Sequence, residues 1–122
     1  MKTFIDLEGA SGATYRFRLW EAGAPHQPIA GNYVCVRADK GGYAIVGIGE
    51  TLDLSRLREK LPKRVRETST HVYTRLNVAR ANREAEHADL MARHGSARAR
   101  AATSTTTAAD ATPTNAADVA AD

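Results

Sequence analysis

The stretch "GYAIVGIGETLDLSRLREKLP", residues 42–62, decides how the chain folds. It begins with "YAIVGI", an apolar run of strand length that ends among glycines. Asp53 then opens a helix, because an aspartate side chain accepts from the backbone N–H groups that a first turn leaves unbonded. Leu54, Leu57 and Leu61 recur at helical spacing, and Pro62 interrupts the helix because it lacks a donor and crowds the preceding turn. Strand, glycine turn and basic helix can bring backbone amides and a cation towards a phosphate. The same order also builds ordinary β-to-α connections.

Outward from this stretch the periods alternate. "NYVCVRA" (32–38) is a second apolar strand, separated from "YAIVGI" by "DKGG", whose glycines suit a tight hairpin turn. "TYRFRLW" (14–20) places Tyr15, Phe17 and Leu19 on one side and Arg16 and Arg18 on the other, the period of a half-buried strand. The proline-rich connection "AGAPHQP" follows it. Downstream, "STHVYTRL" (69–76) alternates again, with Val72, Thr74 and Leu76 opposite His71, Tyr73 and Arg75. From Val78 to His94 the chain reads as an alanine-rich, charged helix with Val78, Ala81, Ala85 and Ala88 on its buried side and Gly95 as its stop. The expected fold is α+β: a small antiparallel or mixed sheet of three to four strands flanked by helices, followed by a disordered C-terminal tail.

The tail begins at the boundary marked by Gly95 and Ser96. "AATSTTTAADATPTNAADVAAD" (101–122) holds no aromatic residue and almost no large aliphatic one. It cannot bury enough apolar surface to offset lost chain entropy, so residues 96–122 are expected to be disordered. Residues 1–95 form the folded domain, with fifteen Lys and Arg against eleven Asp and Glu. Six of those cations fall between Arg56 and Arg66, against one acid, Glu59. Such a cluster suits a polyanionic partner, although on most helices it is simply a solvated face. Cys35 is the one cysteine, which excludes an internal disulfide and suits a reducing cytoplasm; in "YVCV" it reads as a buried strand residue. No apolar run approaches membrane-spanning length, and "MKTFIDLEGA" lacks the apolar core of a leader.

"GNY" at 31–33, "GIG" at 47–49 leading into "ETLDLSRL", and "REAEHADLM" at 83–91 stand in the order and approximate spacing of the GIY-YIG nuclease superfamily, which the chain resembles from about residue 15 to residue 92. The resemblance implies a divalent-metal-dependent endonuclease that hydrolyses phosphodiester bonds in DNA or a structured nucleic acid. On it, Glu86 holds the Mg²⁺ or Mn²⁺ ion, whose charge stabilises the scissile phosphate and leaving oxygen. Arg56 grips the non-bridging oxygens with its fork of donors. Tyr33 helps activate the attacking water, and Gly49 lets the backbone pass close to the site. Tyr33, Arg56 and Glu86 are then expected to meet on one face of the sheet. Arg58, Lys60, Lys63, Arg64 and Arg66 follow as contacts to the nucleic-acid backbone.

The departures from the family pattern are specific. Gly47 stands where the second triplet has tyrosine; Tyr43, four residues earlier, shares its strand parity. Arg56 falls one place early, Leu57 occupies the commoner position and Arg58 follows it. One residue turns a helical side chain by about 100°, so Arg56 and Arg58 cannot both face one phosphate. Lys60 replaces a histidine or tyrosine, and "HGSARAR" replaces the motif that ordinarily follows the glutamate helix. These losses leave a second reading open, a catalytically degenerate nucleic-acid-binding module on the same fold. A protein-interaction domain with an incidental basic helix is a third.

Overall fold

Two hairpins and a fifth strand assemble one antiparallel sheet. The computed structural model describes residues 1–103, with side chains through residue 95. Strands β1 (Phe4–Glu8) and β2 (Thr14–Trp20) form the first hairpin, and β3 (Gly31–Asp39) and β4 (Gly42–Thr51) the second. A single 3₁₀ turn, Leu54–Arg56, leads into α1 (Leu57–Lys60); α2 (Lys63–Thr68), β5 (His71–Leu76) and α3 (Arg80–Thr103) complete the chain. β5 inserts between the hairpins, giving the order β1-β2-β5-β3-β4 with every pairing antiparallel. The sheet thus has five strands, one more than the upper expectation. The extra strand is β1, where Ile5 and Leu7 are buried between exposed Phe4, Asp6 and Glu8.

Each face of the sheet carries its own core, because alternate residues of a strand point to opposite sides. Ile5, Leu7, Phe17, Val34, Val36, Ile48 and Tyr73 pack on one face with Leu90 of α3. Cys35, Val46, Val72 and Trp20 pack on the other, under Leu54, Leu57 and Leu61. Asp53 caps the helical segment as expected, accepting from the Ser55 backbone N–H at 3.0 Å. Pro62 splits that segment into α1 and α2, and the three leucines are buried at its inner side.

The pairing of β3 with β4 slips between Cys35 and Val36: Cys35 faces Gly47 and Val36 faces Ile45, so Val46 is the extra residue. A bulge of this kind puts two consecutive side chains on one side of the strand. Val46 joins the helix-covered core of Leu54 and Leu57, while Tyr43 and Ile45 pack with the core on the opposite face.

The last helix reverses the expected polarity. Val78 precedes it and is 72% exposed, and Ala81, Ala85 and Ala88 all face solvent. The inward positions are Arg83 and Leu90, with Glu86, His87 and Met91 half-buried beside them. These recur at intervals of three and four, so the helical period holds but its phase is rotated. Nor does Gly95 end the helix: it lacks a positive φ, and α3 continues to Thr103. The disorder expected of the tail falls, from residue 104 onwards, outside the described residues. Among the described residues no helix is long and apolar enough to cross a membrane.

Asp89 ties α3 to the first hairpin. It accepts from the Ser11 hydroxyl at 2.6 Å, the Ser11 backbone N–H at 2.8 Å and the Tyr15 hydroxyl at 2.8 Å. The Ser11 hydroxyl first, then the Tyr15 hydroxyl and the Ser11 amide, hold its carboxyl below the usual range for aspartate. A carboxyl lowered by folding stabilises the protein above its unfolded pKa, about 3.9, and loses that contribution as pH falls through the folded value. Asp89→Asn is therefore expected to lower the urea midpoint near neutrality and to flatten its decline below about pH 4. The helix phase has its own check. Leu90→Ala should cost about 2–5 kcal/mol of unfolding free energy, whereas Ala81→Gln and Ala85→Gln should each stay within about 0.5 kcal/mol.

Candidate functional site

Tyr33 and Gly49 are cross-strand partners on β3 and β4. The Tyr33 ring crosses directly above Gly49: a methyl group there would overlap the phenol Oη and Cζ. The group that approaches Gly49 is the tyrosine side chain. Tyr33 packs against the core formed by Trp20, Cys35, Leu54, Leu57 and Leu61, and so belongs to the face under α1 and α2.

Gly47 lies on this face too, opposite Cys35. A Cβ added there would stand 3.3 Å from Val65 Cγ1 of α2. The volume that the missing tyrosine would need is therefore held by Val65. Tyr43 does not take its place, because the bulge at Val46 breaks the parity between positions 43 and 47 and leaves Tyr43 packed on the other face. Burial pushes the Tyr43 phenol pKa upwards.

The two arginines of the helical segment part company, as their spacing requires. Arg56 extends into solvent and pairs with Glu59 at 3.3 Å. Arg58 turns inward instead. Its guanidinium carbon lies 4.2 Å from the centroid of the Trp20 ring, and its Nη2 donates to the Trp20 carbonyl at 2.7 Å. Desolvation lowers its pKa.

Glu86 is on the opposite side of the sheet. Its Oε1 accepts from Arg75 Nε at 2.8 Å and from Asn77 Nδ2 at 2.9 Å. Asn77 also donates to Asn32 Oδ1 at 2.9 Å, and Asn32 Nδ2 donates to the Arg83 carbonyl at 3.0 Å. Asn32 precedes Tyr33 on a regularly paired part of β3, so their side chains leave the strand in opposite directions. The convergence expected of Tyr33, Arg56 and Glu86 is not what the fold builds: the first two go with α1 and α2, the third with α3. The metal expected at Glu86 does not suit this donor set either. A guanidinium already neutralises the carboxylate, an amide shares the same oxygen, and among the described residues no three His, Cys, Asp or Glu side chains group to hold an ion.

Beside Glu86 is a buried pair that the sequence reading did not reach. Arg83, with its side chain 4% exposed, donates Nε to Glu50 at 2.7 Å and Nη1 to the carbonyl of Val78 at 3.0 Å. It fastens the entry of α3 to the end of β4. Its signal in the sequence was positional, an arginine seven residues before Leu90, but helix patterning assigns such a residue to the surface.

The face under α1 and α2 carries the cations. Lys60, Lys63 and Arg66 are exposed, while Arg64 is half-buried. Lys63 approaches Glu67 at 3.9 Å; Lys60 and Arg66 enter no side-chain ion pair among the described residues. Next to them opens a cavity of about 460 Å³ between the end of β2, the start of β5 and the two short helices. Arg58, Arg66, Ser69, Thr70 and His71 supply its polar wall, and Leu61 and Val72 part of its apolar one. Compared with known proteins, the chain matches no family model, no curated protein and no solved structure.

Removing Arg83 would leave Glu50 without its partner and the Val78 carbonyl without this donor. The carboxylate left behind is 31% exposed and regains water, so the loss is smaller than for a fully buried pair. Arg83→Ala is expected to lose about 1–3 kcal/mol in denaturant unfolding, and Glu50→Gln on the Arg83→Met background should restore part of it.

Proposed function

We propose that the chain is a nucleic-acid-binding module that works through the cationic corner of α1 and α2. The observation that carries this reading is the division of labour within residues 56–66. Leu57 and Leu61 are spent on the core, which leaves Lys60, Lys63 and Arg66 exposed around the Pro62 corner, with Arg64 beside them. A convex run of cations on short, rigid helices can follow a phosphate backbone, and it gains affinity from the counterions it releases. Arg56 and Arg58 contribute less to this track, one being paired with Glu59 and the other stacked on Trp20.

Hydrolysis is the alternative. Only the order and spacing of the sequence motifs favour it, and the engagement of Glu86 by Arg75 and Asn77 speaks for a structural carboxylate. Binding and cleavage separate in one experiment on labelled duplex DNA. The log of the association constant should fall against log salt with a slope of about −3, for the three exposed cations. Lys63→Glu with Arg66→Glu should weaken binding at low salt by about tenfold or more and flatten that slope. Affinity indifferent to salt and to both reversals would refute the proposal. Strand scission on adding Mg²⁺ or Mn²⁺, lost in Tyr33→Phe and Glu86→Gln, would replace it with the nuclease reading.

A further inference from the structure

We infer that the cavity beside α1 and α2 receives one unstacked nucleotide of the bound strand, its base lying on the guanidinium of Arg58. The inference rests on the reading of this corner as a nucleic-acid surface, and it names what that surface selects.

Arg58 is the reason. A cation taken partly out of water ordinarily acquires a carboxylate, because the charge is otherwise expensive to bury. On the other face of the sheet the rule is kept: Arg75 pairs with Glu86 and Arg83 with Glu50. Arg58 has no such partner among the described residues, although Glu21 lines the same cavity. It is held instead by the indole of Trp20 and by one carbonyl, and its Nε is buried without a hydrogen bond. That arrangement fixes the plane of the guanidinium while leaving its charge uncompensated. Arg58 and Trp20 both line the cavity, with the guanidinium carbon 4.2 Å from the indole centroid, so the held guanidinium stands at the cavity wall.

A guanidinium plane is a platform on which an unstacked base can lie. The remaining walls fit the rest of a nucleotide. Leu61 and Val72 offer an apolar side, Ser69 and His71 offer hydrogen-bonding groups to a base edge, and Arg66 stands where a phosphate would emerge onto the cationic track. The volume, about 460 Å³, falls within the range of small-ligand pockets, roughly 300–1,000 Å³. A paired base cannot reach such a recess without leaving its stack, so the cavity favours ends, overhangs and unpaired positions over continuous duplex.

The test compares a blunt DNA duplex with the same duplex bearing a short unpaired overhang, by fluorescence anisotropy on the full chain. The overhang should be bound about tenfold more tightly, the effect of one stacked base. Arg58→Lys, which keeps the charge and removes the plane, should bring that ratio close to one. Ala22→Trp, which fills the cavity from an exposed position on its rim, should do the same without touching Arg58. A ratio near one in the unsubstituted protein, with duplex binding intact, overturns the pocket and spares the proposed function. A ratio that survives both substitutions also overturns it. If neither duplex binds, the nucleic-acid reading fails, and the pocket assignment fails with it.

Discussion

The arrangement of this protein depends on the alternation of a central strand that is buried on both faces. β3 has β5 on one side and β4 on the other, so none of its residues can be reassigned to an edge. Val34 and Val36 belong to the core under α3, and Cys35 to the core under α1 and α2. Shifting the register by one residue would turn both valines out of their core and bring Asn32, which is 1% exposed, into apolar surroundings without its partners. That rigidity settles where chemistry can occur. Tyr33 and Asn32 are adjacent in sequence yet belong to different sides of the molecule, and whatever touches Asn32, Glu86 included, is separated from Tyr33 by the thickness of the sheet.

Much of the fold could be read from the residues because its elements advertise themselves locally. The alternation of Tyr15, Phe17 and Leu19, the "DKGG" turn, the Asp53 cap and the leucines at 54, 57 and 61 depend on neighbours a few places away, and each appears where its pattern puts it. β1 escaped because five residues with two acids make a faint alternation, given meaning only by pairing with β2. The bulge at Val46 escaped for a related reason. It is a property of how two strands register, and nothing in "YAIVGI" marks which residue is extra. Without the bulge, Tyr43 and Gly47 share a face; with it they do not.

The helix α3 failed for a physical reason that bears on the site. Apolar patterning assumes that the buried stripe is the apolar one. Here four small apolar side chains look outward or precede the helix, while Arg83 is buried and Glu86 half-buried. The exchange is tolerable because each charge has an opposite charge and further hydrogen bonds waiting: Glu50 and the Val78 carbonyl for Arg83, Arg75 and Asn77 for Glu86. A helix stripe of Arg, Glu and Leu can be an inner face when the sheet beneath it supplies the complements, and those complements come from β4 and β5, more than thirty and about ten residues away. The glutamate that the sequence singles out for a metal is one of the helix charges so matched. Its position on the helix was legible; its engagement was not, since Arg75 carries no mark that it reaches across.

Arg83 and Arg58, on the two sides of the sheet, are therefore held in opposite ways, and this contrast links the fold to the function proposed for it. Under α3, guanidinium and carboxylate are matched, so the field of each is spent within the protein and little remains to attract a ligand. Under α1 and α2, Arg58 is held by an aromatic face and a carbonyl dipole, neither of which cancels its charge, and Arg66 stands in solvent without an ion-pair partner among the described residues. Charges arranged so keep their reach outside the molecule until an anion arrives. Half-burial adds to the effect: a cation already stripped of part of its water gives up less hydration on meeting a phosphate or a base plane, and the low dielectric beside Trp20 strengthens that contact. The desolvation cost is borne by the fold, through the leucine core that seats α1 on the sheet, which makes the same leucines that build the helical corner responsible for holding in place the groups proposed to bind.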